Sequence, residues 1–263
     1  MALRRFGGLD AETRIPLGRS GPAAGPAAPS VGRIARLVSR TGRSRRLRNV
    51  AHLNAHERLA SSDPVMGAII QRVGEMSFAR RRRGRPRGDS YGVLLRTVVG
   101  QQLSAKAAAT IFDRLLALFG GKVPTPKELL AVKPDELRAI GLSGRKVEYV
   151  RDLATHVESG ELELDRFADL GDDEVIAEIT AIRGFGVWSA QMFLIFHLER
   201  PDVLPTGDLG IRRAAQVEYG LDELPDHDEL VALAEPWRPQ RTLASLYLWE
   251  TLANVPVEVD TAG

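Results

Sequence analysis

From residue 51 onward, apolar residues recur at three- and four-residue spacing along most of the chain, which predicts one helix after another. Asp63-Pro64 reads as a capping residue followed by proline at a first helical position, and Val65, Ile69, Ile70 and Val73 continue the stripe. Ser104 opens a segment whose Ala108, Ile111, Phe112, Leu115 and Phe119 share a face, and Gly120-Gly121 closes it. Pro134 with Asp135 and Glu136 starts a short helix that Gly141 stops, and another runs from Arg145 to His156. Asp172-Asp173 is expected to cap a helix reaching Ala181. Val187 to Leu198 is strongly apolar, Asp208 opens a further helix at its N-cap, and Pro239 precedes the last. No run alternates apolar and polar between turn signals, so the pattern predicts an all-α fold of about ten helices.

Residues 1–50 break this pattern. Pro22, Pro26 and Pro29 sit among Ala, Gly and Ser with no helical or alternating period, which predicts a disordered tail ahead of a folded domain at 51–263. Charge separates the two parts. The tail holds eleven arginines against Asp10 and Glu12, a charge of +9, so the remainder must carry −7 to reach the net +2. The basic pI therefore belongs to the tail. It suits nucleic acid or another acidic surface, and equally a merely solvated extension. Being Arg-rich and acid-poor it also resembles a transit peptide, but a bacterial tail is the preferred reading. A second basic segment, six arginines within residues 80–87 beside Gly84, Pro86 and Gly88, reads as a loop suited to phosphate contacts or simply to water.

Composition removes several function classes. The longest apolar run, Met192 to Phe196, is too short to span a bilayer, so no membrane partner is expected. With no cysteine, the chain cannot use a thiol nucleophile, a zinc ribbon or a thiolate-held iron–sulfur cluster. No metal or other cofactor is expected, and the site of action is expected to be the bacterial cytoplasm, at the nucleoid.

The sharpest local motif is Ile176-x-x-Ile179-x-x-Ile182-Arg183-Gly184-Phe185-Gly186-x-x-x-Ala190. A helix ends, two glycines flank one apolar residue, and a second helix begins at once. Glycine permits positive φ and close backbone approach. Amides at the start of the second helix can hold a phosphate. This is the helix–hairpin–helix pattern of DNA binders that ignore sequence, although tight turns between helices also use Gly-x-Gly. Further on lies Leu204-Pro205-Thr206-Gly207-Asp208, whose aspartate sits where a helix N-terminus favours the ionised form; such residues are most often plain caps.

Hairpin, Gly/Pro-rich loop and aspartate in this order resemble the helix–hairpin–helix (HhH-GPD) DNA glycosylase superfamily. Val98-Val99-Gly100-Gln101-Gln102-Leu103-Ser104-x-Lys106-Ala107-Ala108 resembles a segment of its alkylated-base branch, the DNA-3-methyladenine glycosylase II family. Residues 137–153, with Gly141-Leu142-Ser143 and Lys146, and then Trp237-Arg238-Pro239 and Tyr247-Leu248-Trp249, resemble later parts of that branch. The likeness runs from residue 52 to 254 and lacks the amino-terminal β-rich domain of the longer enzymes. It departs at Arg183, where the family has proline, at Gln240, where an aromatic often stands, and at Met192, which replaces a tyrosine near the base pocket.

The resemblance implies two helical subdomains flanking an active-site cleft. It implies a monomer that flips alkylated purines of the 3-methyladenine and 7-methylguanine type out of double-stranded DNA and excises them by hydrolysis in base excision repair. Asp208 would stabilise the oxocarbenium-like transition state. Trp249, Trp188 and Met192 would line the base pocket, the indoles attracting a cationic base. DNA would be held by Arg183, Gly184, Phe185 and Gly186 and by the Gln101–Leu103 loop, with Gln102 or Leu103 filling the gap left by the flipped base. Bifunctional lyases of this fold place a Schiff-base lysine where Trp188 stands, so no lyase step is expected. A glycosylase for uracil or hypoxanthine, or a non-catalytic DNA-binding protein, stays open at this point.

Overall fold

The computed structural model describes residues 54–76 and 89–253. The basic tail, the arginine loop at 80–87 and the last ten residues lie outside them. Among the described residues there are twelve α-helices, two 3-10 turns and no strand. The helices are α1 (Ala55–Ser62), α2 (Pro64–Val73), α3 (Ser90–Gly100), α4 (Ala105–Ala117), α5 (Pro126–Ala131), α6 (Pro134–Ala139), α7 (Gly144–Ser159), α8 (Asp172–Ala181), α9 (Val187–Phe196), α10 (Leu209–Tyr219), α11 (His227–Leu233) and α12 (Arg241–Ala253). None of them is long and apolar enough to cross a membrane.

Local signals account for most boundaries. Asp63 caps α2, with its carboxylate accepting from the amides of Val65 and Met66 and Pro64 at the first position. Ser104 caps α4 and Asp208 caps α10 through its side chain, as their positions in the sequence predict. Several boundaries differ from expectation: α4 ends at Ala117, ahead of Phe119 and the Gly120-Gly121 pair, and α7 runs on past His156 to Ser159. Gly171, not Asp172, is the N-cap of α8, and Glu174 reaches back to the Gly171 amide at 2.7 Å. The apolar run after the hairpin leaves the helix at Phe196, two residues early, where His197 takes over as C-cap. Helices α1, α3, α5 and α11 were not announced by the apolar pattern. Three of them are short helices set by capping boxes, Asn54/Glu57, Thr125/Glu128 and Asp226/Glu229, in which the cap and the third helical residue exchange bonds.

The helices bury two separate apolar clusters. The larger, built on α3 to α9, includes Leu95, Val98, Leu115, Val150, Leu153, Phe167, Ile179, Phe193 and Leu194. The smaller is built on α1, α2 and α10 to α12 and includes Leu59, Met66, Ile69, Ile211, Leu230, Trp237 and Tyr247. The fold is therefore two helical subdomains. Trp249, on α12, packs against both clusters and so marks the seam between them.

The third tryptophan of the chain is core. Trp237 is fully buried, and its Nε1 donates to Asp63 Oδ2 at 2.9 Å. Tyr219 donates its hydroxyl to the same oxygen at 2.7 Å. Burial, and then the carboxylate beside it, pushes the Tyr219 phenol above its ordinary pKa, so it stays a donor. Asp63 thus ties α1–α2 to α10 and the Glu235–Trp237 turn while capping α2. Asp63→Ala strands the Tyr219 hydroxyl, leaves Trp237 Nε1 with only its bond to the Tyr219 oxygen at 3.2 Å, and removes the cap. Loss of about 3 kcal/mol is expected in urea unfolding, from roughly 1–3 kcal/mol per unsatisfied buried group and roughly 1 kcal/mol for the cap.

Candidate active site

Asp208 stands at the seam, at the N-cap of α10. The loop leading to it is held from three sides. Its amide donates to Pro205 O at 2.9 Å, Gln191 Nε2 of α9 donates to Leu204 O at 3.2 Å, and Thr242 Oγ1 of α12 accepts from the Val203 amide at 2.9 Å. The carboxylate itself is gripped by indoles. Trp249 Nε1 donates to Oδ1 at 3.0 Å and Trp188 Nε1 donates to Oδ2 at 2.7 Å, while the Ile211 amide caps through Oδ1 at 2.9 Å. The two tryptophans expected in the pocket therefore meet Asp208 directly, one from each subdomain. They are not equivalent. Trp188 is half exposed at the first turn of α9, whereas Trp249 is partly buried and stacks on Phe196 with 5.9 Å between ring centroids. Stacking on Phe196 covers one face of the Trp249 indole. Met192 lies one turn after Trp188 on α9, partly buried against the larger core.

Several residues around Asp208 carried no signal in the sequence reading. A Cβ on Gly210 would lie 3.0 Å from Asp208 Oδ1 and 3.5 Å from the Trp249 ring, so the second residue of α10 must be small for the carboxylate to sit there. Val187 and Leu209, the first residues of α9 and α10, are 54% and 62% exposed. With Trp188 they put an apolar rim beside the carboxylate, a surface suited to bases and sugars more than to water.

The hairpin between α8 and α9 has the expected form. Gly184 adopts φ +88°, and a Cβ there would enter the Tyr149 ring, 2.8 Å from Cε2 and closer still to Cδ2 and Cγ. Gly186 differs: it has an ordinary extended φ of −110°, and a Cβ would meet nothing within 4 Å. Phe185 is buried in the larger core and pins the turn from inside. Arg183 is mostly exposed but not unpartnered. Its amide and its Nε donate to the two oxygens of Asp152, at 2.9 and 3.0 Å, so its charge is already partnered by an aspartate of α7.

The loop between α3 and α4 presents its middle. Gln102 is exposed with φ +57°, and Leu103 is 38% exposed. Gln101 turns the other way. It is the C-cap of α3, and its Nε2 donates to Gly184 O of the hairpin at 2.7 Å. Lys146 of α7 donates Nζ to the carbonyls of Val99 and Gln101, at 2.7 and 2.8 Å, and burial pushes its ammonium below its ordinary pKa. Carboxylate, apolar rim, hairpin and loop thus sit on contiguous elements. Their chemistry suits a sugar carrying positive charge beside an anionic backbone.

The chain is similar to known proteins in sequence and in fold. Residues 95–239 match the family model described as HhH-GPD superfamily base excision DNA repair protein. DNA-3-methyladenine glycosylase 1 of Schizosaccharomyces pombe is 34% identical over 195 residues, 73% of this chain and 84% of that protein. The putative DNA-3-methyladenine glycosylase YfjP of Bacillus subtilis is 30% identical over 168 residues, and the match spans only 58% of its length. Among solved structures, the S. pombe 3-methyladenine DNA glycosylase in complex with abasic DNA superposes with a TM-score of 0.66 at 32% identity, over 76% of this chain and 96% of that one. With the family model covering more than half of its length, and with its hairpin and Asp208 loop both inside that match, this chain belongs to the HhH-GPD superfamily of base excision DNA repair proteins.

Proposed function

We propose that residues 51–263 form a monofunctional DNA glycosylase that acts as a monomer on duplex DNA and excises alkylated purines of the 3-methyladenine and 7-methylguanine type. The observation that carries this reading is the Asp208 carboxylate, held between two indole N–H groups and a helix amide at the seam of the subdomains. The names of the similar glycosylases support the same substrate class. In the reaction the bond from the sugar C1′ to the base nitrogen breaks, and its electron pair leaves on the base, which loses its positive charge. Water adds at C1′ and gives up a proton. On this reading the Asp208 charge would stabilise the oxocarbenium-like transition state and its carboxylate would take that proton. Gln102 and Leu103, exposed at the loop tip, would fill the stack behind the flipped nucleotide. The hairpin amides would hold the backbone beyond it.

The test is to incubate the protein with methylated duplex DNA and measure free bases. Release of 3-methyladenine and 7-methylguanine is expected, with the strand cut only after alkali and no adduct trapped by borohydride. Release of uracil alone, or of no base, would overturn the reading. A trapped adduct would overturn its monofunctional part, which rests on Trp188 standing where a Schiff-base amine would be needed.

Trp249 separates pocket from core. Its packing on both clusters means that Trp249→Ala costs about 3 kcal/mol of stability as well as activity. Trp249→Phe is the sharper variant. It keeps a ring on Phe196 but loses the bond to Asp208. Single-turnover excision of 3-methyladenine is expected to fall about tenfold, in line with the weakening of a cation–π contact worth roughly 0.5–2 kcal/mol and the loss of one charge-assisted bond. Wild-type rates per folded molecule would make Trp249 core alone.

A further inference from the structure

Three side chains of α7 hold the two DNA-facing loops. Lys146 binds the last carbonyls of α3 through Val99 O and Gln101 O. Tyr149 lies against Gly184, and Asp152 takes both the amide and the guanidinium of Arg183 with its side chain only 9% exposed. These positions are three residues apart, so they rise along one side of the helix. Gln101 closes the circuit by binding Gly184 O across 83 positions of sequence. Between its ties the loop keeps Gln102 in the left-handed region, a conformation that a non-glycine residue holds only when its surroundings over-determine it.

On the reading that Gln102 and Leu103 enter the duplex, the geometry points to Lys146 and Gln101 as positioning residues that lash this loop to the hairpin, so that seating the hairpin on the DNA backbone and driving the loop into the base stack are one coupled event. The ammonium satisfies carbonyls at a helix C-terminus, where a cation is favoured. The Gln101 carboxamide is engaged inside the protein, so Gln101 acts on DNA through the loop it holds. Both side-chain heads are engaged by backbone carbonyls of the protein. Their loss should therefore weaken insertion more than encounter.

The experiment uses the full chain and a duplex with 2-aminopurine beside a tetrahydrofuran abasic analogue, with binding followed by anisotropy. Wild-type protein is expected to raise the fluorescence as the loop unstacks the reporter. Lys146→Met, which keeps the aliphatic stem, and Gln101→Met should still bind at high protein concentration. Their insertion equilibrium should fall about tenfold, the equivalent of one charge-assisted or buried hydrogen bond. If Lys146→Met does not fold, Gln101→Met carries the test, since its side chain lies in a partly exposed loop. A full fluorescence rise in the variants, or no rise in the wild type, overturns the proposal. Excision is measured separately: a wild type that inserts but releases no base overturns the proposed activity and leaves the coupling intact.

Discussion

Asp208→Asn is expected to abolish base release while leaving affinity for abasic-site DNA close to that of the wild type. Asparagine keeps the size, and its Oδ1 can still accept from the Ile211 amide and from Trp249 Nε1, at the 2.9 and 3.0 Å now seen. Its Nδ2 would then face Trp188 Nε1, donor against donor, across the present 2.7 Å. The half-exposed Trp188 can turn toward water, so the fold should lose only about 1 kcal/mol. Chemistry has no such remedy. The negative charge facing the developing oxocarbenium is gone, and removal of one such group costs roughly 10²-fold or more in rate. Single-turnover excision beside affinity for abasic DNA makes the test. An asparagine variant within a few-fold of wild type would reduce Asp208 to a helix cap.

Gly184→Val should give the converse, with DNA affinity collapsing and excision falling only as binding does. Two independent obstacles act there. At φ +88° a side chain is strained by roughly 1–3 kcal/mol. The added Cβ must also displace the Tyr149 ring, an overpacking cost of roughly 1–3 kcal/mol more. Where the hairpin backbone gives way in place of the ring, Gly184 O, the acceptor for Gln101, moves and takes the loop with it. Gly186→Ala is the control. Its φ suits any residue and its Cβ would enter open space, so unfolding should be unchanged. Any fall in its affinity would then report a backbone approaching from outside. A Gly184→Val protein with wild-type stability and affinity would show that the hairpin takes no part in binding.

Most helix starts and the hairpin were legible in the sequence because each depends on residues within four positions of one another; the ends of α4, α7 and α9 were not. Asp63 before Pro64, Ser104, Asp208 and Gly184 carry their conformational meaning locally. The all-helical class followed from the period of apolar positions. The short helices α1, α5 and α11 escaped because a single turn or two shows little period, and capping boxes, not stripes, define them. The pocket residues Trp188, Trp249 and Met192, and the loop Gln101–Leu103, were named through resemblance and not through any local pattern.

What the side chains do to one another was decided only by tertiary structure. The sequence holds three tryptophans of equal local character, yet one is fully buried on Asp63 and two donate to Asp208. Arg183 reads as a free cation at the hairpin until α7 places Asp152 against it. Lys146 and Tyr149 have no local mark of their tasks, and Gly186 reads like Gly184 although only the latter has a ring against it. Each of these contacts joins residues tens of positions apart. Local propensity sets where a helix begins and ends, but the pairing of distant faces follows from how two apolar cores exclude water together, and no short stretch of sequence contains that information.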